Sequence, residues 1–250
     1  MQIGVQFYTI RESCKDLDSF SESLKRVADM GFKNVQISGT CAYDPQWLSE
    51  ELKKNDLKCV LTHIKPDRLL NETEQVAKEH DVFGCDYVGL GVFHFTDEEE
   101  NQGYDFYMEN YPRVAKVLKE NGKLFMHHNH HYEFKKIGNK TVLDCLAEAF
   151  PADTLGFTLD THWVQRGGGD PAWWLEHLKG RVPVIHLKDY AFGPQYAVLG
   201  EGNINFDRVF EKAEVAGTKY MLIEQDNCYG EDPFDCLQRS YNYLKARGFE

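Results

Sequence analysis

Leu124-Phe125-Met126-His127-His128-Asn129-His130-His131, Phe157-Thr158-Leu159-Asp160-Thr161-His162-Trp163, Val184-Ile185-His186-Leu187-Lys188-Asp189 and Met221-Leu222-Ile223-Glu224-Gln225-Asp226 share one pattern. In each, a short apolar run ends abruptly in acids and histidines. A strand buried on both faces reads as such a run. Four strands that carry their polar groups at the C-terminal end predict a closed parallel barrel, which gathers those ends at one mouth.

The rest of the chain fits the same reading. Strands are expected at Ile3 to Tyr8, Asn34 to Ser38, Leu57 to His63 and Tyr87 to Gly91. The four quoted segments supply Lys123 to His128, Leu155 to Leu159, Pro183 to Leu187 and Tyr220 to Glu224. Amphipathic stretches separate them. Leu17, Phe20, Leu24 and Val27 fall at helical spacing, with Asp16 or Asp18 as cap and Gly31 as stop. Further helices are expected from Pro45 to Lys54, Arg68 to Val82, up to Glu120, Val142 to Phe150, from Pro171, Phe206 to Ala216, and Pro233 to Arg247. Eight alternating units without a linker predict a single (β/α)8 TIM barrel over residues 1–250. An open dinucleotide-binding sheet would want a glycine-rich turn after the first strand, where Thr9-Ile10-Arg11-Glu12 stands instead.

Composition narrows the function. The chain has 250 residues, is 42% hydrophobic and 27% charged, and carries a formal net charge of -12. That charge disfavours nucleic acid as a partner, because phosphate binding needs a basic surface. No apolar stretch approaches the length of a membrane span. Seven scattered cysteines without a CxxC pair, and a start without a signal-peptide pattern, lead us to expect reduced thiols in a cytoplasmic protein. The acidic run Asp97 to Glu100 reads as a solvated loop or helix start. Tyr104, Phe106, Tyr107 and Tyr111 are read either as the interface of a homo-oligomer or as facing the barrel.

Asp160, His186 and Glu224, on three successive strand ends, form the best candidate set of metal ligands. Mixed carboxylate and imidazole donors suit Mn, Zn, Fe, Co or Ni; an all-oxygen set would point to Mg or Ca. The fourth ligand is sought among His127 to His131. Period-two alternation puts Met126, His128 and His130 on one face and Phe125, His127 and Asn129 on the other. Glu133 either orients an imidazole or bonds to loop backbone. Lys188 either stabilises a developing oxyanion or closes a salt bridge across the mouth. His63, Trp163, Arg166 and Glu133 are the expected substrate contacts, Trp163 as a stacking face for a sugar. The loop after the seventh strand, Ala191 to Val198, is long enough for a lid.

The segments HNHHYEF (128–134), LDTHWVQRGGGDP (159–171), VIHLKDY (184–190), GEGNINF (200–206) and LIEQDN (222–227), with VQFYTIRE (5–12) and MGFKNVQIS (30–38), resemble the xylose-isomerase-like sugar phosphate isomerase/epimerase family. The resemblance covers nearly the whole chain. It implies a (β/α)8 barrel with a divalent metal, Mn foremost and Zn, Fe, Co or Mg open, at the strand ends. In ketose 3-epimerases of the family the ligands are Glu, Asp, His and Glu. Carried over, the last three fall on Asp160, His186 and Glu224, and the first falls on His128, a departure from the glutamate. Trp163 is a second departure, where many members place a histidine.

The expected activity is proton abstraction next to a carbonyl of a sugar or keto-sugar, as in isomerisation or epimerisation. Glu224 or a histidine, His128 or His130, would move the proton, and Lys188 would hold a substrate oxygen. Rival expectations are β-elimination on 3-keto-glycosides, a non-catalytic sugar-binding or partner subunit, and an abasic-DNA nuclease, the last disfavoured by charge.

Overall fold

The computed structural model describes residues 1–95, 102–193 and 195–250. Eight parallel strands close into one barrel: β1 (Gln2–Gln6), β2 (Asn34–Ile37), β3 (Lys58–Ile64), β4 (Tyr87–Leu90), β5 (Leu124–His128), β6 (Leu155–Asp160), β7 (Val184–Leu187) and β8 (Tyr220–Ile223). Each pairs with its neighbours in sequence, and β1 closes the ring on β8 with Gln2 opposite Tyr220. Helices pack outside this ring, so the strands are apolar on both faces.

Two separate packings follow from that. Inside the barrel, Val60, Leu61, Met126, Val184 and Leu222 form a small plug. Outside it, a larger core joins strands to helices. In α1 (Leu17–Asp29) the buried face includes Phe20, Leu24 and Val27. Each such side chain contributes on the order of 1.5–3 kcal/mol when fully buried. Asp16 caps this helix by accepting the Ser19 N–H at 2.8 Å. Gly217 ends the helix Phe206–Ala216 at φ 80°, a left-handed conformation that a side chain would strain.

Several expected elements differ in detail. β1 stops at Gln6, and Phe7–Ser13 coils into a 3₁₀ segment because the Gln6 side chain accepts the Tyr8 N–H at 3.1 Å. The helix expected over Arg68 to Val82 is two, Pro66–Asn71 and Thr73–Val82, broken at Glu72, which has φ -130°. Thr73 Oγ1 donates there to the Leu69 carbonyl. A short helix, Thr161–Arg166, follows β6 unanticipated, started by Asp160. The loop after β7 contains an antiparallel pair, Asp189–Ala191 with Gln195–Ala197. Tyr107 and Tyr111 are fully buried against the barrel, which rules them out as an interface; Phe106 is exposed. The acidic run Asp97 to Glu100 lies outside the described residues. Among the described residues no helix is long and apolar enough to cross a membrane, and all seven cysteines are free.

His80 ties the helix layer to the barrel. Its Nδ1 donates to the Val76 carbonyl and its Nε2 sits 2.7 Å from Thr62 Oγ1 on β3. Burial pushes its pKa down to about 4; nearby Lys123 and Arg68 add to this and Glu79 opposes it. The unfolded chain therefore takes up this proton first as pH falls. The stabilisation from the neutral ring is complete above about pH 6.5 and lost down to about pH 4, on the order of 3 kcal/mol. Urea unfolding at both ends of that window should show a smaller acid-induced loss for His80→Gln than for the native chain; equal losses would contradict this assignment.

Candidate metal centre and active site

Strand register alone brings four polar residues to one face. Asp160 pairs with His186 across β6 and β7, and His186 pairs with Leu222 across β7 and β8. Glu224 lies two residues beyond Leu222, so it returns to the same face. His128 pairs with Thr158, two residues before Asp160. The inward layer below them holds Met126, Val184 and Leu222. His128, Asp160, His186 and Glu224 thus stand on a dry plug, with one donor atom of each within 4.8 Å of all the others. His127 takes the opposite parity and points outward, where Tyr107 Oη lies 3.2 Å from its Nδ1.

Outer hydrogen bonds set what each donor presents. A backbone carbonyl can only accept, so His128 Nδ1 must donate to Gly91 O at 2.8 Å. Nε2 is then the atom turned to the cluster, 3.3 Å from Asp160 Oδ2. His186 donates from Nε2 to Gln36 Oε1 at 2.6 Å. Its Nδ1 is left 2.8 Å from Glu224 Oε2, yet neither atom has a hydrogen bond of acceptable geometry. Asp160 Oδ1 accepts the Trp163 N–H at 3.0 Å, which leaves Oδ2 for the cluster. The Asp160 backbone N–H donates to Asn129 Oδ1 at 2.9 Å, anchoring β6 to the turn after β5.

Lys188 is fully buried beside them. Its ammonium lies 2.9 Å from Asp160 Oδ2, 3.0 Å from Glu224 Oε2 and 3.0 Å from Asp226 Oδ1. Burial alone would raise the Asp160 and Glu224 carboxyls; Lys188 above all holds both well below the usual range, helped by His128 and His186 at Asp160 and by His186 at Glu224. Burial would lower Lys188, but the three carboxylates keep it well above its usual value. Burial lowers His186 too, and the charges of Glu224 and Asp160 reverse the sign, so it is raised.

These donors fit a divalent cation. Two imidazole nitrogens face two carboxylate oxygens at 3.3 Å and 2.8 Å, and a divalent cation can take the place of the protons between them. With both imidazoles neutral, as metal ligands are, three carboxylates against one ammonium leave a formal charge of two negative. The outer partners, Gln36 and Gly91, hold the rings as second partners of metal-bound histidines do.

A cavity of about 470 Å³ opens above the cluster, lined in part by Tyr8, His63, His130, Tyr132, Trp163 and Asp226. Of the expected substrate contacts, His63 and Trp163 line it and Arg166 and Glu133 do not. Arg166 is exposed, its guanidinium 5.0 Å from the Trp163 ring centroid. Glu133 is fully buried: Oε1 lies 3.0 Å from His127 Nε2, and Oε2 accepts the His130 N–H at 2.9 Å. Burial, reinforced by His128 and Lys188, lowers the His130 pKa well below its usual value. Its Nδ1 is buried without a partner among the described residues. Burial first, then His128 and His186, does the same to His63. Gln6, Gln36, Gly91 and Asp226 were not assigned roles from the sequence. The two glutamines had one signal, a polar residue inside an otherwise apolar strand.

In fold, the chain is similar to a sugar phosphate isomerase/epimerase from Parabacteroides distasonis, with a TM-score of 0.82 and 21% identity over 98% of this chain and 93% of that one. It is similar to an L-ribulose 3-epimerase at 0.80 and 16%, over 98% and 94%. It is similar to the IOLI protein with a bound zinc atom at 0.77 and 10%, over 98% and 97%. No match was found among curated proteins. The sequence profile described as xylose isomerase-like TIM barrel matches residues 24–246. With that profile spanning most of its length and a closed eight-stranded parallel barrel beneath it, the chain belongs to the xylose isomerase-like TIM barrel family.

Proposed function

We propose that this chain is a metal-dependent sugar or keto-sugar isomerase or epimerase that moves a proton next to a carbonyl. One observation carries the reading: two imidazole nitrogens and two carboxylate oxygens converge at the floor of a sugar-sized cavity. The named neighbours, a sugar phosphate isomerase/epimerase and an L-ribulose 3-epimerase, support it. The zinc of the IOLI protein supports a metal on this scaffold.

His128 Nε2, Asp160 Oδ2, His186 Nδ1 and Glu224 Oε2 would hold the metal, with Mn the first candidate. A bound divalent ion would supply Lewis acidity that stabilises negative charge on substrate oxygens. The chain's own groups do the rest. His130, kept neutral by burial and lining the cavity, takes and returns the proton at its free ring nitrogen. Glu224 is the alternative proton carrier, as its carboxylate is also held ionised. The Lys188 ammonium balances the carboxylates and steadies a substrate oxygen that gains charge. Trp163 closes one side of the cavity, its ring centroid 4.9 Å from that of His130.

Two outcomes are expected. With Mn present, solvent deuterium should enter one carbon-bound position of a ketose or keto-glycoside from a broad panel, and the product should identify isomerisation or epimerisation; loss of a leaving group would instead mark β-elimination. Absence of deuterium across the panel, with sugar still bound, would sink the proposal in favour of a binding subunit. Second, Gln36→Leu should weaken metal binding by about 10–100-fold while leaving the circular dichroism spectrum unchanged. Unchanged affinity in metal titration would mean that His186 is not a ligand.

A further inference from the structure

His63, at the C-terminal end of β3, has a hydrogen-bonding environment that decides which of its nitrogens carries the proton. Gln6 is fully buried, and its Oε1 accepts the Tyr8 N–H at 3.1 Å, which orients the amide. Gln6 Nε2, a group that can only donate, then faces His63 Nδ1 at 3.5 Å. Ser38 Oγ lies 3.3 Å from the same nitrogen. No other acceptor serves the Gln6 amide among the described residues. The Ser38 hydroxyl can turn to donate or accept, but a proton on Nδ1 would oppose the Gln6 amide hydrogen and strand a buried donor. The neutral ring therefore carries its proton on Nε2. That atom is buried without a partner among the described residues, in a ring that lines the cavity 5.2 Å from His128 and 5.8 Å from His186, centroid to centroid.

The ring cannot easily turn away. Gly91 packs against it so closely that a Cβ there would lie 2.6 Å from Nδ1. A buried N–H without an acceptor is costly, and the cost is removed if a ligand oxygen meets it. Resting on the function proposed above, we infer that His63 is a fixed hydrogen-bond donor to the substrate oxygen that gains negative charge, and that Gln6 is the positioning residue that locks it in that tautomer. His63 moves no proton in this role. It is an electrophilic partner to the proton carrier.

The test pairs a spectroscopic readout with a kinetic one. Imidazole nitrogen NMR of the protein loaded with diamagnetic zinc, with the His63 signals identified by their loss in His63→Gln, should show a neutral ring protonated at Nε2. Gln6→Glu, which presents an acceptor to Nδ1, should move that proton to Nδ1. Gln6→Leu, which adds no buried charge, should leave a mixture of tautomers. On the substrate that exchanges deuterium, His63→Phe should lower kcat by about 10²-fold and Gln6→Leu by less, with KM changed little. A wild-type ring protonated at Nδ1, a tautomer indifferent to Gln6, or an unchanged kcat in His63→Phe would each overturn the inference. Absence of exchange by the native protein on every substrate would instead overturn the proposed function, and the nitrogen spectrum would still decide whether Gln6 sets the ring.

Discussion

The hydrogen bond from His128 Nδ1 to the Gly91 carbonyl governs what the barrel mouth can hold. A carbonyl has no proton to give, so this bond keeps a proton on Nδ1 and aims Nε2 into the site. That nitrogen meets Asp160 Oδ2 at 3.3 Å, where either a proton or a metal ion can join the two. Gly91 contributes twice, because the same residue leaves room for the His63 ring. The end of β4, which carries no catalytic side chain, thus fixes two imidazoles by backbone alone.

Lys188 shapes the electrostatics of the same site. Without it, Asp160, Glu224 and Asp226 would crowd three negative charges into one buried pocket. With it, Asp160 and Glu224 are held ionised. Its ammonium touches Asp160 Oδ2 and Glu224 Oε2, the oxygens that face the histidines. The metal and the lysine therefore share oxygens, and metal affinity is set against that contact. Trp163 stands over the lysine, with Nζ 5.4 Å from the ring centroid, and shields the pair from solvent.

Much of the barrel was legible because strand endings have a local signal. The switch from Phe157-Thr158-Leu159 to Asp160 is readable without knowing any partner, and period-two alternation then gives the parity of His128 against His127. What could not be read depends on contacts across many residues. Gln36 meets His186 from 150 positions away, and Gln6 meets His63 from 57. The break at Glu72 escaped for another reason: helical spacing persists across it, and it shows only in the backbone turn at Glu72 and the Thr73 hydroxyl to Leu69 contact. Glu133 and Arg166 were expected beside the substrate because they are polar and close in sequence to cavity residues. The 3₁₀ turn Tyr132–Phe134 carries Glu133 beneath the cavity wall, and the end of the helix Thr161–Arg166 carries Arg166 to the surface.

The ligand set is tested most directly by anomalous diffraction from crystals grown with Mn. A single strong peak bounded by His128 Nε2, Asp160 Oδ2, His186 Nδ1 and Glu224 Oε2 is the expected result. A peak that leaves His128 unbound, or no peak with Lys188 still across Asp160 and Glu224, would contradict a four-residue metal centre.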